Sequence, residues 1–91
     1  MKNARLIVSI VRRGWGSTVL QASVKAGARG GTVLHGRGTG VNEHDTIFTM
    51  AIEPEKEVLL TIVHAHQVQA VLGEIVRAGE LDEAGHGIAF V

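Results

Sequence analysis

Gly27-Ala28-Arg29-Gly30-Gly31-Thr32-Val33-Leu34-His35-Gly36-Arg37-Gly38-Thr39-Gly40 holds six of the chain's twelve glycines in fourteen residues. Between them lies one short β-favouring run, Thr32-Val33-Leu34. The stretch reads as a helix stop, a strand and a glycine-lined loop mouth in series. Gly27 suits the left-handed residue that ends a helix. Gly36, Gly38 and Gly40 would let backbone amides turn toward an anion, with no Cβ in the way. The pattern is neither of the common phosphate-binding motifs. Val41 stands where a dinucleotide fingerprint needs its third glycine, no helical pattern follows, and no Gly-Lys-Ser/Thr occurs.

Outward from this stretch the chain alternates strands and helices. Arg5–Arg12 is β-branched and nearly continuous in apolar residues, as in a strand buried in a sheet. Gly14-Trp15-Gly16 breaks it. A helix is expected over Thr18–Ala26, with Thr18 and Gln21 as a capping box and Val19, Leu20, Ser23 and Val24 on its packed side. After the glycine-rich stretch comes a polar loop, Val41–Asp45. Thr46–Ile52 alternates, with Phe48, Met50 and Ile52 on one face, and reads as a single strand ended by Pro54. Glu53, Glu55 and Glu57 read as a solvated face near a turn. Val58–Val63 is a second buried-strand candidate. Val68, Val71, Leu72, Ile75 and Val76 then fit a helix that lacks a good N-cap and stops at Gly79. Glu80–Glu83 is an acidic loop, and Gly85-His86-Gly87 opens a last strand, Ile88–Val91.

Lys25-Ala26-Gly27 is echoed by Arg77-Ala78-Gly79, each between a helix and a strand. Two strand–helix–strand units in 91 residues imply an α+β, ferredoxin-like split βαβ fold (βαββαβ). Its antiparallel sheet would carry both helices on one face. Arg5–Arg12 and Val58–Val63 are apolar on both faces, so the second face would be a bare apolar surface. An oligomer with sheets packed together is expected.

Composition narrows the function. Net charge is zero with histidines neutral, against the basic balance of a nucleic-acid surface. Trp15, Phe48 and Phe90 are too few for a base-stacking platform. Without cysteine there is no disulfide framework or thiolate metal site. No apolar run nears the roughly 18 residues of a membrane span, and no signal peptide is visible. A cytoplasmic, non-membrane protein is expected. The chain stops within an apolar run, so a further C-terminal tail is also expected. No nucleophile or acid–base motif surrounds Ser9, Ser17 or Ser23, so no catalytic residues are assigned. Arg12 and Arg13 divide evenly between a phosphate site and surface charge. His35, His44, His64, His66 and His86 raise a metal-binding alternative, but none forms a tight ligand pair and no metal residue is assigned.

Lys25-Ala26-Gly27-Ala28-Arg29-Gly30-Gly31-Thr32-Val33 followed by Gly36-Arg37 resembles the PII signal-transduction (nitrogen regulatory protein P-II) family. Val58–Gly79 and Gly85-His86-Gly87 fit as well, so the likeness covers nearly all of residues 1–91 as a single PII-like domain. The resemblance implies a homotrimer that binds an adenine nucleotide (ATP, ADP or AMP) as effector in clefts between subunits, with no tightly bound cofactor. By position, Thr32, Gly36, Arg37, Gly38, Gly85, His86 and Gly87 would line the nucleotide site. The loop of about residues 36–46, with Arg37, Thr39, Val41, Asn42, Glu43 and His44, would read out to a partner enzyme, transporter or regulator of nitrogen or carbon metabolism. Such proteins are regulators, not enzymes. Departures are clear. Gly38 replaces the family's glutamine, which bears on 2-oxoglutarate sensing, and there is no tyrosine. Leu81-Asp82, His86 and Ile88 replace the usual residues of the second glycine loop. They imply a PII-like branch, with ADP, AMP or a cyclic adenine nucleotide as possible ligands in place of ATP. PII-like metal binding or metal tolerance through loop histidines is the alternative.

Overall fold

The computed structural model describes residues 2–40, 45–47, 50–52 and 54–91, with the backbone alone for 45–47 and 50–52. The element order is β1 (Ala4–Arg12), α1 (Gly16–Lys25), β2 (Gly31–Arg37), β3 (Asp45–Ile47), β4 (Met50–Ile52), β5 (Glu55–His64), α2 (Val68–Gly79) and β6 (Gly87–Phe90), with a 3-10 turn at Ala65–Gln67 before α2. Four strands form one sheet in the order β2-β5-β1-β6, every pair antiparallel. This is the expected βαββαβ ferredoxin-like arrangement, with β3 and β4 paired separately.

Strand alternation sorts the sheet into two faces. Ile7 and Val11 of β1 and Leu59 and Val63 of β5 are fully or almost fully buried, in one core with Val19 of α1 and Val71 and Ile75 of α2. The alternate residues face away from the helices. Leu6, Leu34, Ile62, Ile88 and Phe90 are 45 to 55% exposed on four neighbouring strands. The bare apolar face expected from the sequence is present. Val24 departs from its expected packed position on α1 and is 46% exposed.

The helix ends correct the sequence reading in several places. α1 stops as expected: Ala28 N–H donates to the Ser23 carbonyl (3.0 Å), Gly27 N–H to that of Val24 (3.1 Å), and Gly27 has φ of +124°. This is the paired bonding of a glycine-ended helix. α2 closes in the same way one residue later. Leu81 N–H donates to Val76 (3.0 Å) and Glu80 N–H to Arg77 (3.2 Å), so the left-handed residue is Glu80, with φ of +52°. Gly79 remains inside the helix and serves packing instead. A Cβ there would lie 3.0 Å from Leu81 Cδ2 and 3.3 Å from Val19 Cγ2.

The beginnings differ too. Neither Ser17 nor Thr18 caps α1, whose first residue is Gly16 and whose N-cap residue, Trp15, makes no side-chain cap bond. α2 has more of a start than its sequence suggests. His64 caps the 3-10 turn that precedes it, and Gln67 Oε1 accepts from His64 N–H (2.9 Å). The expected single strand Thr46–Ile52 is two short antiparallel strands, with Asp45 opposite Ile52 and Ile47 opposite Met50. A period-two pattern scores alternation and is blind to a reversal of direction inside it. Phe48 lies outside the described residues.

Candidate functional site

β2 is longer than the expected Thr32–Leu34 and carries Gly36 and Arg37 within the strand, opposite Lys56 and Glu55 of β5. Gly38 N–H then donates to the Pro54 carbonyl (3.1 Å). Arg13, His35, Gly36, Arg37, Glu55 and Lys56 line an open groove of about 420 Å³ at this end of the sheet. Glu55, exposed, pairs with Arg13 at 2.7 Å. The groove sets the guanidinium groups of Arg13 and Arg37 beside Glu55, and guanidinium donors suit an anion.

The second glycine-rich segment stands across the sheet. Gly85 and Gly87 have φ of +82° and +140°, and Gly87 pairs with Val11 of β1. A Cβ on Gly87 would strike the Ile10 carbonyl, so the residue must be glycine for the strand to seat. His86 is largely buried against β1. Arg12 Nη2 lies 3.2 Å from its Nε2 and 3.4 Å from its Nδ1, the Trp15 ring meets it edge-on at 5.6 Å, and Glu80 Oε1 is 3.9 Å from its Nδ1. The Arg12 guanidinium also sits over the Trp15 ring at 5.5 Å.

The register places both segments at one end of the sheet. His35, Glu57, Val11 and Gly87 form one row across all four strands. Yet β2 and β6 are its two edges, about 14 Å apart at three strand spacings. Within one chain Gly36, Arg37 and Gly38 do not meet Gly85, His86 and Gly87. Thr32 lies on β2 four residues before Gly36, about 14 Å back along the strand, in the row of Leu60, Val8 and Phe90. Thr39 is exposed; Val41, Asn42, Glu43 and His44 lie outside the described residues.

Glu57 is the residue that sequence reasoning missed. It is 9% exposed, on the helix-covered side of β5. Its Oε2 accepts from Gly14 N–H (3.0 Å) and its Oε1 from Gly16 N–H (2.7 Å). The Gly14 N–H above all, then the Gly16 N–H and the charges of His35 and Arg13, hold its carboxyl below the ordinary range against the opposing pull of burial. A carboxylate from β5 thus takes the place of the local cap at the start of α1. A Cβ on Gly16 would strike Glu57 Oε1, so the glycine break and the carboxylate belong to one device. No local signal marks it, because 41 residues separate the partners.

Among the described residues no three histidines or carboxylates converge on a metal position. His64 and His66 stack face to face at 5.3 Å, far along the sheet from the groove. No described helix is long and apolar enough to cross a membrane.

A ferredoxin-like sheet, bare on one face, with glycine-rich segments on both edges at one end, defines the class of this protein. The structure is similar to that of Arabidopsis thaliana PII bound to citrate, with a TM-score of 0.74 and 27% identity over 97% of this chain and 74% of that one. No family model and no curated protein matches the sequence. In structure the chain is PII-like, at 27% identity to that protein.

Proposed function

We propose that this chain is a cytoplasmic PII-like regulator, not an enzyme, that acts as a homotrimer. It binds an adenine nucleotide in the clefts between subunits. The bound nucleotide biases the segment between β2 and β3, residues 38–44, which engages a partner enzyme, transporter or regulator of nitrogen or carbon metabolism. The observation that carries this reading is the split of the two glycine-rich segments between opposite edges at one end of the sheet. Both can touch one phosphate chain, which is much shorter than that gap of about 14 Å, only if the β2 edge of one copy faces the β6 edge of another. The apolar face across all four strands gives the copies a reason to associate.

Two further features support it. A Cβ at Gly36 or Gly38 would meet nothing within 4 Å, so packing inside one chain does not call for these glycines. Close approach by a group from outside does. The groove beside them is cationic, as phosphate oxygens require. Similarity to a PII structure points the same way.

A thermal-shift panel with ATP, ADP, AMP, cyclic AMP and Zn²⁺, each alone, tests the reading. A nucleotide at 100 times its dissociation constant adds about 2.7 kcal/mol to the folded state, a plain upward shift. Stabilisation by an adenine nucleotide is expected. Stabilisation by Zn²⁺ alone would overturn it in favour of the metal-binding alternative.

A further inference from the structure

Arg12 and Arg13 are neighbours in sequence and part company in space. Arg13 turns to the β2 side, where it lines the groove with Gly36 and Arg37. Arg12 turns to the β6 side, onto His86 between Gly85 and Gly87. We infer that this divergent pair supplies a phosphate-binding arginine to each half-site, Arg13 beside Gly36-Arg37 and Arg12 beside Gly85-His86-Gly87, and that the ligand is a di- or triphosphate. The inference rests on the nucleotide reading above and adds its cations and its phosphate number.

Three observations carry it. First, the Gly85–Gly87 segment holds no cation of its own that is permanently charged, and the next residue, Ile88, is apolar. Arg12 comes from the adjoining strand, where Val11 pairs with Gly87, to the place where the charge is wanted. Second, Arg12 Nε is buried with no hydrogen-bond partner among the described residues. A buried donor on a charged group calls for an acceptor. Third, the guanidinium is already held, over the Trp15 ring and against His86, so little ordering is left for binding.

The turn that separates the two arginines from α1 is fixed by Glu57, through Gly14 and Gly16. Glu57 is a positioning residue for both. Two carboxylates oppose an incoming anion, Glu55 on Arg13 and Glu80 near His86, and both are more than half exposed, free to swing into water. One phosphate meets one arginine. When the β2 edge of one copy faces the β6 edge of the next, a phosphate chain meets Arg13 of the first and Arg12 of the second, so ATP and ADP should bind more tightly than AMP.

Calorimetric titration of ATP, AMP and tripolyphosphate into wild type, Arg12→Gln, Arg13→Gln, Arg12→Lys, Arg13→Lys and the distant control Arg77→Gln tests this, with circular dichroism to confirm folding. A lost charge-assisted hydrogen bond corresponds to roughly tenfold or more in affinity. Each glutamine variant should weaken ATP and tripolyphosphate by about tenfold or more, and AMP by less. The lysine variants should recover part of the loss, and Arg77→Gln should match wild type. If Arg12→Gln fails to fold, Arg12→Lys with Arg13→Gln decides. Wild-type affinity for ATP with both glutamine variants within about twofold of it would overturn the arginine assignment and leave the nucleotide reading standing. Arginine-dependent binding of tripolyphosphate with no preference for ATP would keep the assignment and overturn the nucleotide reading. Binding of neither would overturn both.

Discussion

The two strand–helix–strand halves of this chain solve the same geometric problems by different means. α1 begins on a carboxylate supplied by β5, 41 residues away, whereas α2 follows a turn capped by its own neighbours, His64 and Gln67. α1 closes on Gly27 and α2 on Glu80, with the same pair of backbone bonds. The start of the first helix therefore depends on the second half of the chain, whereas the turn before α2 is capped from within its own half. The device that completes the first half lies at the end of the sheet where both glycine-rich segments sit. Stability and the candidate site are coupled there, through Glu57.

Removing the long-range cap should cost more than removing the local one. Glu57→Ala strands two N–H donors and should destabilise by about 3 kcal/mol, measured by urea denaturation. Gln67→Ala, which removes one arm of a local box, should cost about 1 kcal/mol. Equal losses would contradict the asymmetry, and no loss in Glu57→Ala would mean that Glu57 is a bystander to α1.

Acid should reveal the same asymmetry. Glu57 is held below its ordinary value of 4.5 in the folded chain, so its contribution is complete above that value. It is lost as pH falls from about 4.5 through the folded-state value, where the native carboxylate takes up its proton. Wild type should lose stability across this window, and Glu57→Gln should show a shallower acid limb in the same denaturation series. Parallel acid limbs would contradict the role given to Glu57.

The helix ends give a smaller effect of opposite sign. Glu80→Gly relieves a side chain held in the left-handed region and should stabilise by about 1 kcal/mol. Gly27→Ala forces one into it, 3.1 Å from Gln67 Nε2, and should destabilise by a similar amount. Thermal melts of the two variants should move in opposite directions.

These contrasts mark what the sequence could disclose. β1, β5 and α2 were legible because their periodicity is the packing itself. Gly27 was legible because a glycine at a helix end has a local cause. The βαββαβ order and the bare apolar face followed from those elements alone. Glu57 was not legible, since alternating glutamates before a strand look solvated until the fold carries a distant glycine turn onto one of them. Nor was Glu80, because Gly79 is the better residue for the same role and packing against Val19 and Leu81 claims it first. The break between β3 and β4 was hidden under one continuous alternation. Of the candidate site, the sequence named both glycine-rich segments and left Arg12 and Arg13 undecided. Their opposite directions became visible only with the strand order.

Everything proposed for the two edges requires that one edge of a copy faces the other edge of its neighbour. Multi-angle light scattering of the purified chain measures this without any ligand. A mass of three times the 9.6 kDa chain is expected. A single chain mass at all concentrations would contradict the split site, because Gly36-Arg37 and Gly85-His86-Gly87 could then never share one phosphate chain.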